Sequence, residues 1–309
     1  MKKVIKYLVI IIIIATITIF MTSCDDKNNE KYFIKYSDEP VFKNKIYIFG
    51  VHPLHNPKKL FEVYQPLVDY INKQLIGASI KLEASRNYAS YDKKLFNGYF
   101  DLALPNPYQT IIAADKYYNI FGKMSDDKNF RGIFIVRKDS NITSFNDIKG
   151  QTISYPAPTA LAATMMPQYY LYLNEIDINK DIKNLYVGSQ ESSIMNVYLK
   201  KTIVGSTWPP PWIAFEKNNP NIAKQLEVKW ETKHLLNNGL VAKKDFPKKL
   251  LDKISYIIFN LHTHKDGQKI LKAMELSSYE KANYNTYNKV REFIKEFEKK
   301  IRPIRAQND

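Results

Sequence analysis

Short apolar runs alternate along the chain with longer segments in which apolar residues recur every three or four positions. The short runs have the length and composition of buried strands. We predict strands at 45–51, 80–84, 101–104, 132–136, 152–155, 185–187, 202–204 and 226–230. The longer segments have the spacing of amphipathic helices. We predict helices at 57–76, 88–97, 108–117, 159–174, 189–199, 248–262, 267–274 and 284–300.

Turn and capping residues support these boundaries. Asn56 is a favourable N-cap and Pro57 suits a first helical position, while Gly77 and Gly98 follow the first two helices. Strands that alternate with helices of this length favour an α/β fold with mostly parallel sheets. At roughly 100–200 residues per domain, a chain of this length is expected to form two domains.

The N-terminal segment indicates export. Lys2, Lys3 and Lys6 precede an apolar run at 7–20. This run is shorter than the roughly 20 residues that a membrane-spanning helix needs, so the pattern predicts a secretory signal.

The residues after this run suggest a lipid anchor. Met21-Thr22-Ser23-Cys24 resembles the bacterial lipobox, in which the signal is cut before a cysteine that then carries lipid. The resemblance implies a lipoprotein signal peptide at 1–23 and lipidation of Cys24. The polar stretch 24–44 is then a tether to the folded part. We expect a cell-envelope protein on the periplasmic face, and the sequence leaves inner and outer membrane open.

Composition excludes several classes of protein. The chain has 309 residues, 45% hydrophobic and 25% charged, which is typical of a globular domain and not of a disordered chain. The single cysteine excludes intramolecular disulfides and multi-cysteine metal sites. None of the ten glycines belongs to a GxGxxG or GxxxxGK[ST] phosphate-binding motif.

Four segments are informative through their order and spacing. They are Phe49-Gly50-Val51 with Tyr64 to Tyr70, Tyr88 with Leu95 to Ala103, Ile133 to Ser140 with Ser144 to Gly150, and Val187 to Glu191. Together they resemble a known family, the phosphate/phosphite/phosphonate-type periplasmic substrate-binding proteins of ABC transporters, and the resemblance covers about 45–276.

The resemblance implies a type II periplasmic-binding-protein-like fold, with two α/β lobes joined by two hinge strands. We place lobe one at 45–130 plus 240–309 and lobe two at 131–239. The ligand would lie between the lobes, where strand ends and helix N-termini converge and free N–H groups attract anions. Hinge closure would then trap it.

The expected pocket departs from that of phosphonate-binding relatives. Where the family carries a Ser-Thr-Ser run, this chain has Ala160, Leu161 and Ala162, flanked by Thr159. Gln190 replaces a family histidine, and the strand at 202–204 lacks the aspartate that faces a ligand amine. We therefore expect a less anion-selective cleft that suits a neutral or weakly acidic ligand.

Other residues complete the candidate ligand-binding set. Tyr88 matches a family pocket tyrosine, and Phe130 falls where another tyrosine often sits. His52 and Asn106 follow predicted lobe-one strands. The full set is Tyr88, Asn106, Phe130, Thr159, Ala160, Leu161, Ala162, Gln190, Trp208 and His52.

The segment Trp208-Pro-Pro-Pro-Trp212 predicts a stiff, polyproline-like bend at the rim of the cleft. Trp208 is either an aromatic wall for the ligand or part of a packed loop, and the sequence leaves both open. Packing is favoured for Trp212.

Other functions find less support. His262 and His264 are two residues apart on a helix, which is unsuitable for chelation, and no HExxH or GxSxG motif occurs. The net charge of +15 comes from scattered lysines, which favours a solvated surface over nucleic-acid binding. We expect no enzyme activity and no cofactor or metal.

The expected protein is a monomer that binds a small ligand and delivers it to an ABC permease. The alternative is a ligand-sensing lipoprotein that docks on a membrane histidine kinase or chemoreceptor.

Overall fold

The computed structural model describes residues 44–304 of the chain. The predicted signal peptide, Cys24 and all but the last residue of the predicted tether lie outside these residues. Among residues 44–304, no helix is long and apolar enough to cross a membrane.

Eleven strands of the described chain form two sheets. In chain order the strands are β1 (Lys45–Val51), β2 (Ala78–Ala84), β3 (Leu102–Leu104), β4 (Tyr118–Met124), β5 (Ile133–Arg137), β6 (Thr152–Tyr155), β7 (Lys183–Tyr186), β8 (Val204–Thr207), β9 (Leu226–Glu231), β10 (Gly239–Lys243) and β11 (Tyr279–Lys281).

The first sheet has the order β11-β4-β10-β3-β1-β2 and the second has the order β7-β6-β8-β5-β9. In the first, β1 is parallel to both β2 and β3, whereas β10 runs antiparallel between β3 and β4. In the second, β6 is parallel to β7 and β8, and β5 is antiparallel to β8 and β9. We call the first sheet with its helices lobe one and the second lobe two.

Helices flank both sheets. They are α1 (Pro57–Asn72), α2 (Tyr88–Phe96), α3 (Pro107–Lys116), α4 (Met166–Leu173), α5 (Gln190–Tyr198), α6 (Pro209–Asn218), α7 (Pro220–Ala223), α8 (Lys248–Phe259), α9 (Lys265–Ala273) and α10 (Asn288–Lys300). A π-helical turn, Leu161–Met165, precedes α4. The two-lobe α/β class expected from the sequence is confirmed, with each sheet mixed in direction and not mostly parallel.

Two connections lie side by side between the sheets, at 125–132 and 232–238. The Thr232 N–H donates to the Gly132 carbonyl at 2.9 Å, and the Gly132 N–H donates to Thr232 Oγ1 at 2.9 Å. The Leu235 N–H donates to the Phe130 carbonyl at 3.0 Å. These bonds tie the connections into one narrow unit, the geometry of a hinge.

The C-terminal segment touches both lobes. In lobe one, α10 packs on α3. Its Phe293 ring lies 5.4 Å from the Tyr169 ring of lobe two, and Arg302 donates to the Pro158 carbonyl at 2.9 Å. This segment is therefore a third link between the lobes.

One sequence prediction was wrong in a way that bears on the site. The proline run is the first turn of α6 and not a polyproline bend. Trp208 is the extended N-cap residue, and Pro209, Pro210 and Pro211 take positions whose N–H groups would have no partner inside the helix. The strand predicted at 202–204 lies instead at Val204–Thr207, which puts Trp208 at its end.

Candidate functional site

The ends of the parallel strands and the starts of several helices meet between the two sheets. His52 follows β1 and Asn106 follows β3, while the π-helical turn follows β6 and Trp208 follows β8. They enclose a cavity of about 10 Å³, lined by His52, Tyr88, Asn106, Phe130, Ala160, Leu161, Ala162, Ala163, Gln190, Trp208 and Asn238.

Nine of the ten residues in the candidate set line this cavity. The tenth, Thr159, lies beside it and is 1% exposed. The sequence analysis missed Ala163 and Asn238. It also missed a buried carboxyl behind the cavity, that of Asp92.

Direct hydrogen bonds hold the lobes together around the cavity. Asn106 Nδ2 of lobe one donates to the Thr159 carbonyl of lobe two at 2.9 Å. Gln190 Nε2 of lobe two donates to the Tyr88 hydroxyl at 3.2 Å. At the surface, Asn56 Nδ2 donates to Glu191 Oε2 at 2.9 Å. The structure is therefore that of a closed pair of lobes.

Asp92 lies behind this contact on α2 and is bonded from both lobes. It is 1% exposed. Thr159 Oγ1 donates to its Oδ2 at 2.9 Å, and Gln109 Nε2 donates to its Oδ1 at 2.6 Å. Burial raises the pKa of Asp92 to about 7, although these two hydrogen bonds oppose the rise. The carboxyl can thus take or release a proton near neutral pH.

The sequence did carry a signal for Asp92. Tyr88, Asp92 and Leu95 fall at i, i+4 and i+7, which places the carboxyl on the buried stripe of α2. A charged residue on an apolar stripe is rare in a core unless it is paired.

At the π-helical turn before α4, the residues that line the cavity are Ala160 to Ala163, and they offer only backbone N–H groups as hydrogen-bond donors. Ala160 is the N-cap of the π-helical turn and has no side-chain capping bond. The first N–H groups of a helical turn lack intrahelical partners and attract anions. Gly132 of the hinge lies against this turn, since a Cβ there would approach the Ala162 carbonyl oxygen within 2.5 Å. The hinge therefore needs a glycine here.

The polar side chains of the cavity have fixed roles. Gln190 Oε1 accepts from Thr207 Oγ1 at 2.8 Å, which orients the amide so that its nitrogen faces Tyr88. His52 Nδ1 lies 2.9 Å from the Leu104 carbonyl and must donate to it. Burial lowers the pKa of His52 to about 4, so the ring is neutral and its Nε2 is an acceptor. Burial raises the pKa of Tyr88, which keeps its hydroxyl protonated.

The aromatic residues separate into two groups. Trp208 is 3% exposed, lines the cavity and packs edge-on against Phe130 with ring centroids 5.5 Å apart. Trp212 lies outside the cavity lining and stacks on Phe215 at 6.0 Å within an apolar cluster of lobe two.

The described residues include no group of three or more His, Cys, Asp or Glu side chains placed to hold a metal ion. Among the described lining residues none is a lysine, an arginine or a carboxylate. The arrangement is therefore suited to binding through neutral hydrogen-bond groups and aromatic contact, without an ion pair.

Comparison with known proteins gives a consistent result. Residues 49–287 match a family model described as ABC transporter, phosphonate, periplasmic substrate-binding protein. The chain is 24% identical over 294 residues to a probable ABC transporter phosphite-binding protein, PhnD1, of Prochlorococcus marinus, with 88% of this chain and 99% of the relative covered.

Two solved structures have the same fold. One is PhnD1 from Prochlorococcus marinus in complex with methylphosphonate, with a TM-score of 0.75, 21% identity and coverage of 82% of this chain and 99% of the other. The second is a binding-protein component of an ABC phosphonate transporter from Pseudomonas aeruginosa, with a TM-score of 0.74, 20% identity and coverage of 81% and 85%.

Proposed function

The chain belongs to the family of phosphonate-type periplasmic substrate-binding proteins of ABC transporters, and we propose that it captures a small solute between its lobes for an ABC importer. The family acts outside the cytoplasm and its members are binding proteins. Capture and release would be reversible, without a chemical step. The ligand would be a phosphonate- or phosphite-like oxyanion or a more neutral analogue.

The closed contact between the lobes is the observation that supports this proposal most directly. The cavity of about 10 Å³ accommodates about one water molecule. A larger solute can enter only when the bonds from Asn106 to Thr159 and from Gln190 to Tyr88 break and the lobes part. A ligand that bridged the same groups would then favour a closed state of its own.

The ligand class rests on the relatives and on the cavity. One relative, PhnD1, is named as a probable phosphite-binding protein, and its solved structure is a complex with methylphosphonate. The backbone N–H groups at the π-helical turn suit one anionic oxygen. The lack of lysine or arginine in the described lining favours a singly charged or neutral ligand over a dianion. We also propose the lobe boundaries 45–130 plus 240–309 and 131–239. The chain changes sheet between β4 and β5 and again between β9 and β10, which supports them.

A ligand titration tests the function. We expect the full chain, purified in detergent, to be stabilised by methylphosphonate, phosphite or a small neutral analogue. The gain is about 2.7 kcal/mol when the ligand reaches 100 times its dissociation constant. Thermal unfolding monitored across a concentration series measures it.

The same titration includes a control ligand, and one outcome of it would contradict the proposed function. Aminoethylphosphonate should bind no more tightly than methylphosphonate, because the described cavity lining offers its amine no carboxylate. A chain whose melting temperature responds to none of these solutes, nor to phosphate or sulfonates, would not be a solute-binding protein of this kind.

We also propose that Cys24 carries the lipid anchor. The sequence Met21-Thr22-Ser23-Cys24 supports it. Protein expressed in a bacterial host and extracted from membranes is expected to begin at Cys24 and to carry the added mass of acyl chains. A Cys24→Ser variant should keep the signal segment and lack that mass. Intact-protein mass spectrometry distinguishes these results, and an unmodified Cys24 would refute the anchor.

A further inference from the structure

Asn238 is a cavity residue whose side chain keeps an unsatisfied acceptor. It is fully buried, at 0% exposure, and Oδ1 has no hydrogen-bond partner within residues 44–304. Buried side-chain oxygens without a partner are uncommon, and each calls for an explanation. Asn238 lines the cavity, so a ligand can reach it.

The hinge fixes the orientation of this amide. Asn238 lies at the end of the connection at 232–238, where its N–H donates to Asn237 Oδ1 at 2.8 Å and its carbonyl accepts from the Met124 N–H at 2.9 Å. Its Nδ2 faces Met124 Sδ at 3.3 Å. A thioether sulfur is an acceptor, so this contact favours the nitrogen there and leaves Oδ1 as the free end.

A second acceptor in the cavity, His52 Nε2, also lacks a hydrogen-bond partner among the described residues. His52 uses Nδ1 to donate to Leu104, and no hydrogen bond to its Nε2 is found in the described part of the chain. The acceptor oxygens of Gln190 and Asn106 are occupied by Thr207 and by the Gln109 N–H. The cavity thus combines N–H donors on lobe two with unused acceptors at the hinge and on lobe one.

A ligand that fits both sides carries an anionic oxygen and also a hydrogen-bond donor. A phosphonate or phosphite with one remaining acidic proton has both. A sulfonate of the same shape and charge has only acceptors. The free acceptor Oδ1 of Asn238 can therefore distinguish a phosphonate from a sulfonate, although the two ligands have the same shape and charge.

We infer that Asn238 is a specificity-determining residue that accepts a hydrogen bond from the acidic O–H of a singly protonated phosphonate or phosphite, and so disfavours sulfonates. The inference rests on the proposed function and narrows its ligand class. A site with a buried acceptor discriminates strongly against an analogue that lacks the matching donor, because the acceptor is then left unpaired.

The test compares methylphosphonate with methanesulfonate by calorimetry on the full chain in detergent, at about pH 5. A phosphonate keeps one proton there, since the second ionisation of a phosphoryl group has a pKa of about 6. We expect the chain to prefer methylphosphonate by about 10- to 100-fold. Each comparison is a ratio at one pH, so ionisation of the protein affects both ligands alike.

Substitution of Asn238 tests whether this residue causes the preference for methylphosphonate over methanesulfonate. Asn238→Leu keeps the size of the side chain without an acceptor. We expect the ratio to fall to about 1, because methylphosphonate loses its hydrogen bond and methanesulfonate no longer leaves an acceptor unpaired. Asn238→Ala should give the same result if the leucine is poorly accommodated. Tyr155→Phe is the matched control, because it removes another buried, unpartnered oxygen that does not line the cavity. Its ratio should equal that of the parent chain.

The outcomes separate this inference from the proposed function. Binding of both anions with an equal ratio in the parent chain, or with an unchanged ratio in the Asn238 variants, would overturn the role of Asn238 and leave solute capture intact. Failure to bind either anion or any other solute in the ligand series would overturn both.

Discussion

Asp92→Asn is expected to make the protein more stable above pH 7 and to remove the part of its pH dependence in which stability falls as pH rises from 4 to 7. Burial raises the pKa of this carboxyl to about 7 in the folded chain, from an ordinary value of 3.8. Between these values the unfolded chain releases a proton that the folded chain retains. The contribution of Asp92 to the free energy of unfolding therefore falls as pH rises through this window, whereas buried His52, with a pKa lowered to about 4, contributes in the opposite direction.

The size of the effect follows from the two pKa values. Each pH unit contributes about 1.4 kcal/mol, so the stability lost across the window is at most about 4 kcal/mol. Below pH 4 both states hold the proton and the penalty is absent. An asparagine keeps both contacts, because its oxygen accepts from Gln109 Nε2 and its nitrogen can donate to Thr159 Oγ1. Urea unfolding at a series of pH values measures the difference.

The same proton is linked to closure of the lobes. Thr159 belongs to lobe two, and parting the lobes would expose Asp92 to water and return its pKa towards the ordinary value. Closure should therefore take up a proton at Asp92, so this carboxyl favours the closed state at low pH. In small-angle scattering, the dimensions of Asp92→Asn should grow less with rising pH between 4 and 8 than those of the parent chain.

Two variants distinguish the effect of the Asp92 charge from the effect of its contact with the other lobe. Thr159→Val removes the Thr159–Asp92 bond between the lobes and leaves the carboxyl in place, so it should favour the open state at every pH and still respond to pH more than Asp92→Asn does. Asp252→Asn removes an exposed carboxylate of α8 and should leave the stability profile unchanged. If Asp92→Asn kept the parent's pH profile, the carboxyl would not be the group that titrates in this window.

Local signals account for what the sequence predicted well. The strand predicted at 45–51 matches β1, because seven residues with buried alternate positions precede a turn. Helix α1 starts where predicted, since Asn56 accepts from the Lys59 N–H and Pro57 follows it. Both elements are specified by residues within them.

Strands β4, β10 and β11 of the first sheet were not predicted, because their reason is not local. Strand β10 lies between β3 and β4 only because the chain returns there from lobe two. Strand β11 has three residues and pairs with β4 at the sheet edge. The direction of their pairing depends on the topology of the whole chain.

The site residues also divide into those that a local pattern or the family resemblance predicted and those that depend on the whole fold. Nine cavity residues were identified because they follow strands or align with a family pattern. Asn238 was missed because Asn237-Asn238-Gly239 has the composition of a solvated turn, and only the hinge buries it. Burial created by the meeting of two lobes cannot be seen in a local pattern.

Restoring the hydroxyl run at the start of lobe two's helix should raise the affinity for methylphosphonate by about 100-fold or more. The change is Ala160→Ser with Leu161→Thr and Ala162→Ser, all at positions that line the cavity. A hydrogen bond to a charged group contributes about 1.5–3 kcal/mol, so three new donors can exceed 4 kcal/mol before the cost of desolvation. Threonine is also smaller than leucine, which enlarges a cavity of only about 10 Å³.

Calorimetry with methylphosphonate and a neutral ligand from the same series measures this gain. Only the charged ligand should benefit, since the hydroxyls act on negative charge. Ala157→Ser is the matched control: it adds a hydroxyl to a buried alanine of the same segment that does not line the cavity. Should the triple variant bind methylphosphonate no better than the parent, the anionic end of the ligand would not lie at this turn. The alanines could then not explain any weakness of oxyanion binding.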